Sequence, residues 1–311
     1  MFPSLELRAN STTSPQLPVD RDSQYGYVPQ EAIAILFVVL FGISTMLHVG
    51  QAIWFRLWWL LPTAALCGLG EVIGWSGRLW SSINPIADTP FLMQISSIII
   101  APTPLLAANF IILARVIQRL GTSYSRLTPK WYTILFLPCD IIALVVQGVG
   151  GGMASAADTL DGANQGAHVM LGGIIFQLVV IIMFSSLGTD FFLHYRNDRP
   201  VRKNDATGRR GVLTPQLKIM LLALAFSCVT LFIRSIYRII ELAGGWHGRI
   251  IHTEVYFNVL DGGMVTLAIW TMNFAHPGFF LVQRERRDLE LEGKGNELIE
   301  RDSGVSTPTA A

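Results

Sequence analysis

The most informative residues of this chain are charged side chains that lie inside long apolar stretches. Arg234, Arg238 and Glu241 stand at positions i, i+4 and i+7 of one stretch, so a helix places all three on one face. Glu254 and Asp261 are also seven residues apart, on the next apolar stretch. An ionisable side chain at the centre of a bilayer costs about 2.5–3.5 kcal/mol, and such residues normally face the interior of a helical bundle, where they pair or mark a ligand site.

The depths of these residues predict a polar cluster at the midplane and in the outer half of the bundle. From the helical rise, Arg234 lies roughly 15 Å and Arg238 roughly 9 Å below the outer end of their helix. Asp261 lies roughly 10 Å below the outer end of the following helix. With the polar residues of other apolar stretches, the candidate site contains Glu71, Asp140, Gln147, Gln177, Arg234, Arg238, Glu241, Glu254 and Asp261.

Two interpretations of this cluster remain open from the sequence. It is either a buried ion-pair latch that locks together the predicted helices of residues 57–80, 131–153, 219–243 and 254–274 (helices two, four, six and seven of the chain), or a polar anchor at the base of a cavity for an amphiphilic ligand. Helix-breaking prolines favour the second interpretation, because each frees a carbonyl at membrane depth, where a protein-lined or wet cavity is needed. These prolines are Pro102, Pro104 and Pro138.

The elements that position these residues are predicted to be seven transmembrane helices. Of the 311 residues, 51% are hydrophobic and 14% are charged, whereas soluble domains carry about 25% charged residues. A helix needs about 20 mainly apolar residues to cross the hydrocarbon core. The segments that meet this need are residues 32–55, 57–80, 89–114, 131–153, 168–189, 219–243 and 254–274. The predicted fold class is therefore all-α, an integral membrane bundle.

The distribution of basic residues predicts that the N-terminus is outside the cell and the C-terminus is cytoplasmic. Seventeen Lys and Arg residues fall in the first, third and fifth loops between the predicted spans and in the C-terminal tail, and four fall on the opposite side of the membrane. In membrane proteins the cytoplasmic loops carry the excess of Lys and Arg. The predicted organisation is an extracellular disordered tail (1–26), a membrane domain (27–280) and a charged, flexible cytoplasmic tail (281–311). Asn10, in Asn10-Ser11-Thr12, is a candidate for glycosylation on the outer tail.

Missing motifs exclude several activities. The chain has no Gly-x4-Gly-Lys-Ser/Thr loop and no Gly-x-Ser-x-Gly turn, so we expect neither ATP hydrolysis by this chain nor a serine hydrolase. No two of its six histidines stand at i, i+4, the spacing of a helical zinc pair. We therefore expect a protein that is not an enzyme and has no cofactor, no metal site and no nucleic-acid partner.

Blocks of sequence between about residues 25 and 280 match, in order, the pattern of a known family. They are Tyr27-Val28-Pro29, Glu71-x-x-Gly74-x-x-x-Arg78, Ala101-Pro102 with Ala107-Ala108 and Arg115, Asp140 with Gln147 and Gly150-Gly151-Gly152, Gly172-Gly173 with Gln177, Arg234-Ser235-Ile236-Tyr237-Arg238-Ile239-Ile240-Glu241, Gly245-Trp246-His247-Gly248, Glu254, Asp261 and His276-Pro277-Gly278. The chain thus resembles the RTA-like proteins, the fungal seven-span family also called lipid-translocating exporters. It departs from the family near Phe110 and near Asn258, where a tyrosine is expected.

The resemblance implies a plasma-membrane exporter, floppase or regulator of lipid asymmetry. Its expected substrates are amphipathic lipids, such as sphingoid long-chain bases, and sterol-like or toxic amphiphiles, with a role in lipid and drug resistance. Its implied partners are such a ligand and the bilayer; no protein partner is indicated. In this hypothesis Glu71, Asp140 and Asp261 hold a cationic amine, and Arg234 and Arg238 neutralise the acids when the site is empty. The alternative is a receptor-like sensor of membrane lipid stress that signals through its cytoplasmic face.

Overall fold

A computed structural model describes residues 25–157, 159–202, 210–245 and 248–282. These residues form helices and turns and contain no β-strand, which confirms the predicted all-α class. The α-helices are α1 (Glu31–Phe55), α2 (Leu66–Ile83), α3 (Asp88–Ile100), α4 (Pro102–Leu120), α5 (Pro129–Ser155), α6 (Leu160–Arg196), α7 (Pro215–Ala243), α8 (Glu254–Phe257) and α9 (Met264–Phe274). Asn10, most of both predicted tails, Trp246 and His247 lie outside the described residues.

Six helical stretches of the described chain are long and apolar enough to cross a membrane. They are Glu31–Phe55, Asp88–Leu120, Pro129–Ser155, Asp161–Arg196, Pro215–Ala243 and Glu254–Leu281. The predicted second span is not among them. Its residues form a 3-10 turn (Trp58–Leu60), a π-helical turn (Leu61–Ala65) and the 18-residue α2. Within α2, the charged residues Glu71 and Arg78 interrupt the apolar sequence.

The last span is also irregular. Between α8 and α9 the chain forms a π-helical turn, Asn258–Gly263, which contains Asp261. A further π-helical turn, Gly278–Val282, follows α9. Single π-helical turns occur frequently at functional sites, because the wider turn changes which side chains face a neighbouring helix.

The first and last described residues lie at opposite ends of the bundle. Tyr25 donates a hydrogen bond from its hydroxyl to Gln94 Oε1 in α3, at 2.5 Å. Arg119, in the last turn of α4, donates a hydrogen bond to the carbonyl of Leu281. We call these the Tyr25 end and the Leu281 end.

Glycines let neighbouring helices approach closely at two contacts. A Cβ atom on Gly74 of α2 would lie 2.3 Å from Ile98 Cγ1 in α3. A Cβ atom on Gly150 of α5 would lie 2.5 Å from the backbone nitrogen of Met170 in α6. Small residues at such contacts are typical of helices that pack inside membranes.

The outward faces of the helices are apolar. Met46 of α1 is 78% exposed and Leu222 of α7 is 70% exposed, and other large apolar side chains are exposed along α5 and α6. An exposed apolar surface of this extent marks a face that contacts lipid or another apolar surface. The polar residues of the predicted site are instead buried between the helices, except Glu254, which is half-buried.

Candidate functional site: a buried ion-pair cluster and two unpaired carboxyls

Arg238 is the centre of an ion-pair cluster between α7 and the π-helical turn Asn258–Gly263. Its Nε and Nη2 donate to the two carboxylate oxygens of Asp261 at 2.9 and 2.7 Å, and its Nη1 donates to Glu241 Oε2 at 2.6 Å. Arg234 forms a second ion pair with Asp261, at 2.8 Å from Nε to Oδ1. All four side chains are at most 4% exposed. Asp261 is therefore shared by two arginines, and the charges of these arginines are balanced by those of Asp261 and Glu241.

Arg234 also contacts a carbonyl that a proline leaves free. Pro102 has no N–H group, so the carbonyl of Ile98, four residues earlier, has no helical donor. Arg234 Nη2 donates to that carbonyl at 2.6 Å, which links the α3–α4 break to the ion-pair cluster. Pro104 lies in the first turn of α4, whereas Pro138 lies inside α5, which continues beyond it.

Glu71 of α2 is a buried carboxyl beside this cluster. Its side chain is fully buried, and neither of its oxygens accepts a hydrogen bond from the described residues. The charges of Asp261, Arg234 and Arg238 are close enough to act on it. The indole N–H of Trp75, one turn further along α2, is close enough to act on the Glu71 carboxyl as a donor, although the two groups do not meet hydrogen-bond geometry. A buried polar group without a hydrogen bond costs about 1–3 kcal/mol, so a ligand that donates a hydrogen bond would be stabilised here.

Asp140 of α5 is a second buried carboxyl, and the structure does not bring it to the ion-pair cluster. It is 2% exposed, and neither oxygen has a hydrogen-bond partner among the described residues. The ring of Phe136, one turn earlier, lies 5.2 Å from that of Phe110 in α4 and 5.7 Å from that of Phe184 in α6. Asp140 thus lies where α5 packs against α4 and α6. The single cluster expected from the sequence is therefore at least two separate sites.

Gln147 and Gln177 form a hydrogen-bonded chain that joins three helices. Gln147 Nε2 donates to Gln177 Oε1 at 3.0 Å, and Gln177 Nε2 donates to Thr103 Oγ1 at 3.1 Å. All three side chains are at most 5% exposed. These contacts link α5, α6 and α4, and neither glutamine hydrogen-bonds to a described residue of the ion-pair cluster.

Arg78 and Glu254 form a separate ion pair at the Tyr25 end. Arg78 Nη2 lies 3.1 Å from Glu254 Oε1, and it donates to the Tyr27 hydroxyl at 2.9 Å. The Arg78 guanidinium carbon lies 4.5–5.8 Å from the centres of four aromatic rings, close enough for cation–π attraction. These rings belong to Tyr25, Tyr27, Trp75 and Phe257.

Residues 25–30 close the Tyr25 end over this pair. Glu254 Oε1 accepts a hydrogen bond from the Gln30 N–H at 2.9 Å, and His252 Nδ1 lies 2.6 Å from the Tyr25 carbonyl oxygen. Burial raises the pKa of Tyr25 to about 12, so its hydroxyl remains a donor to Gln94 at neutral pH. The sequence analysis gave no site role to Tyr25 or Gln94. The match of residues 27–29 to the family pattern was the signal that pointed to this segment.

The fold and these sites define a multi-pass helical membrane protein with charged groups buried inside its bundle. No three His, Cys, Asp or Glu residues in the described part of the chain are placed to hold a metal ion. A family model described as RTA1 like protein matches residues 64–284. The chain belongs to the RTA1-like family.

Relatives of known or assigned role cover most of the chain. The sphingoid long-chain base transporter RSB1 of Saccharomyces cerevisiae is 32% identical over 308 residues, which span 90% of this chain and 77% of that protein. The probable lipid transporter atnI of Emericella nidulans is 26% identical, over 88% of this chain and 76% of its own. Protoporphyrin uptake protein 1 of Saccharomyces cerevisiae is 24% identical, over 79% of this chain and 89% of its own. No solved structure is significantly similar to the chain.

Proposed function

We propose that this protein moves sphingoid long-chain bases, or closely related amphipathic lipids, across the membrane, as an exporter that does not itself hydrolyse ATP. The names of its relatives RSB1 and atnI support a lipid substrate. The observation that carries the proposal is the pair of buried carboxyls, Glu71 and Asp140, whose oxygens have no hydrogen-bond partner among the described residues.

The chemistry of a long-chain base complements these carboxyls. Such a lipid has an amine at one end of an alkyl chain, and a cationic amine inside a bilayer is as costly as a buried carboxylate. When the two groups meet, each supplies the partner that the other lacks, so their attraction offsets part of the cost of burying both charges. Asp261 and Glu241 are already paired with arginines. Glu71 and Asp140 are therefore the acids that we assign to the amine.

An apolar cleft is suited to the alkyl chain, and one of its lining residues, Phe184, contacts Phe136, one turn from Asp140. It has a volume of about 670 Å³ and is lined by residues of α4, α6 and α7, including Leu222 and Phe184. This volume lies within the usual range for small-molecule sites, about 300–1,000 Å³. The Phe184 ring lies 4.6 Å from that of Phe110 and 5.7 Å from that of Phe136, one turn before Asp140. We propose that the rings separate when the amine passes from the cleft to the carboxyl.

We propose that the chain crosses the membrane seven times. The seventh crossing is α2, which is not among the six stretches that are long and apolar enough by themselves. A chain whose ends lie at opposite ends of the bundle crosses an odd number of times, which supports seven spans over six. The end of α1 contacts the Leu281 end, where the Phe55 ring lies 4.5 Å from that of Phe279. The last turns of α2 return to the Tyr25 end, where Ser81 Oγ lies 3.1 Å from the Tyr25 hydroxyl oxygen.

The excess of basic residues in the loops and tail at the Leu281 end supports a cytoplasmic position for that end. We accordingly assign residues 1–26 to an outer tail and residues 281–311 to a cytoplasmic tail, with the plasma membrane as the location and transport rather than catalysis as the activity.

The proposal is tested by lipid movement in vesicles reconstituted with the purified full-length chain. A fluorescent long-chain base and a fluorescent phospholipid are compared, with and without a proton gradient. We expect the wild-type chain to move the base, and Asp140→Asn and Glu71→Gln to lower the rate to that of protein-free vesicles. Both changes keep the size of the side chain but remove its ability to carry negative charge. The comparison of transport with and without a proton gradient shows whether proton release from these carboxyls is coupled to transport.

Asp161→Asn is the matched control, since Asp161 is an exposed acid in the first turn of α6. It should leave the rate unchanged. Normal movement of the base by Asp140→Asn and Glu71→Gln would reject both carboxyls as the amine site. No movement by a folded wild-type chain would reject transport itself and favour the sensor.

A further inference from the structure

The groups around Arg78 form a cage of the kind that holds a cationic ligand. Four aromatic rings have their centres 4.5–5.8 Å from the Arg78 guanidinium carbon, and Glu254 Oε1 lies 3.1 Å from Arg78 Nη2. Cages of aromatic rings bind ammonium groups because the negative faces of the rings attract a cation. In this structure the cation is the chain's own guanidinium. We call the surrounding residues the aromatic cage: Tyr25, Tyr27, Trp75, Glu254 and Phe257.

The aromatic cage lies beside Glu71 on the same face of α2. Glu71, Trp75 and Arg78 stand at positions i, i+4 and i+7 of this helix, and the helical rise separates Glu71 from Arg78 by roughly 10 Å. Trp75 belongs to both sites. Its ring centre lies 5.8 Å from the Arg78 guanidinium carbon, and its indole N–H is close enough to act on the Glu71 carboxyl. An amine that moves from Glu71 toward the Tyr25 end therefore comes to the aromatic cage next.

Phe257 joins the aromatic cage to the ion-pair cluster. Its ring centre lies 4.5 Å from the guanidinium carbon of Arg78 and 5.1 Å from that of Arg238, and 5.4 Å from the ring of Trp75. One ring thus attracts a cation of the cage and a cation of the cluster. Because this attraction acts on positive charge, a primary ammonium group can replace a guanidinium in it.

The aromatic cage lies close to the surface of the bundle. The Glu254 side chain is 13% exposed, whereas that of Arg78 is 1% exposed. Residues 25–30 cover Arg78, and three of them, Gly26, Val28 and Gln30, are themselves exposed. Displacement of this short segment therefore opens the aromatic cage to the solution.

We propose that the aromatic cage is a second binding site for the cationic amine of the transported lipid, and that Arg78 occupies it until the amine arrives. The choice of ligand rests on the proposed function. The amine takes over the contacts with the rings and the ion pair with Glu254, and Arg78 moves to the surface with residues 25–30. Exchange of one cation for another leaves no uncompensated carboxylate, which would be costly at a buried site. In the arrangement proposed above, this is the last site before release outside.

The experiment measures the affinity of the purified full-length chain, in neutral detergent, for a fluorescent long-chain base and for its uncharged N-acetylated form. Every chain compared carries Glu71→Gln and Asp140→Asn, so that the inner carboxyls do not bind the base. Arg78→Gln removes the resident cation and should tighten binding of the base at least about fivefold, the equivalent of one cation–π contact. Addition of Glu254→Gln should abolish the gain. Arg249→Gln, which removes a charge at an exposed position of the same end, is the matched control and should leave the affinity unchanged.

Equal or weaker binding of the base after Arg78→Gln would overturn the proposal and leave the aromatic cage as a structural contact of residues 25–30. An equal gain with Arg249→Gln, or for the N-acetylated form, would also reject it. If Arg78→Gln does not fold, hydrogen exchange of the wild-type chain decides. The base, but not its N-acetylated form, must then speed exchange of the amide hydrogens of residues 25–30, and unchanged exchange rejects the site. Since binding is measured without transport, this proposal and the proposed function can fail independently.

Discussion

Replacing Asp261 by asparagine tests whether the ion-pair cluster is as dry as its burial indicates. Asp261 holds Arg238 through two hydrogen bonds and Arg234 through an ion pair, and all three side chains are at most 4% exposed. Asp261→Asn leaves two buried arginines with Glu241 as their paired acid. Removing one member of a buried ion pair costs about 3–5 kcal/mol, because a buried charge remains uncompensated. At about 2–4 °C per kcal/mol, the thermal midpoint should fall by roughly 10 °C.

The chain contains its own reporters for this measurement. Cys67 and Cys228 are 0% and 7% exposed, so a dye that fluoresces on reaction with thiols reports unfolding as these cysteines become accessible. The double variant Arg234→Gln/Asp261→Asn restores the balance of charge and should recover at least half of the lost stability.

Arg126→Gln is the control for the loss of an ordinary ion pair. Arg126 pairs with Asp190 at 2.8 Å, but its side chain is 57% exposed, and exposed pairs contribute about 0–1 kcal/mol. If Asp261→Asn lowers the midpoint no more than Arg126→Gln does, the cluster is screened by water and the calculation above is wrong. If the double variant is as unstable as the sum of its single variants, charge balance is not what stabilises the cluster.

Two further predictions concern helix packing and the closed Tyr25 end. Gly74→Ala should lower the free energy of unfolding by about 1–3 kcal/mol, because the new methyl group overpacks the contact with α3. The control is Gly42→Ala, where a Cβ atom meets nothing within 4 Å. Equal thermal midpoints of unfolding for the two variants would contradict the argument. Arg78→Gln removes the ion pair and the cation–π contacts that hold residues 25–30, so their amide hydrogens should exchange at least tenfold faster. Arg249→Gln, an exposed change at the same end, should leave exchange unchanged, and protection that survives Arg78→Gln would show that other contacts hold the segment.

The sequence analysis predicted the helices well where a single stretch was long and apolar, and poorly where polar residues interrupt it. The first and sixth predicted spans differ from α1 and α7 by at most four residues at either end. The fifth predicted span, residues 168–189, was too short at both ends, because α6 (Leu160–Arg196) continues as a helix into the loops on both sides. Thr159 caps its first turn. The π-helical turns at Leu61–Ala65 and Asn258–Gly263 were not predicted. Their formation depends on packing against other helices, for which the local sequence carries no clear signal.

The site was predictable in its residue types and faces but not in its pairings. The i, i+4, i+7 spacing placed Arg234, Arg238 and Glu241 on one face, and all three are buried. The same reasoning placed Asp140 with them, whereas it lies beside Phe136, where α5 packs against α4 and α6. Estimates of depth compare heights along the membrane normal, and two residues at one height can still lie on opposite sides of a bundle.

The sequence by itself determined that this chain is an all-helical membrane protein of the RTA1-like family with charges buried in its bundle, because hydropathy and helical periodicity are local properties. Tertiary structure alone decided that Asp261 is shared by two arginines, that Glu71 and Asp140 have no partner among the described residues, and that residues 25–30 close one end of the bundle. Periodicity fixes which face of a helix is polar. The rotation and register of each helix against its neighbours decide which partner that face meets, and these depend on packing between residues that are distant in the chain.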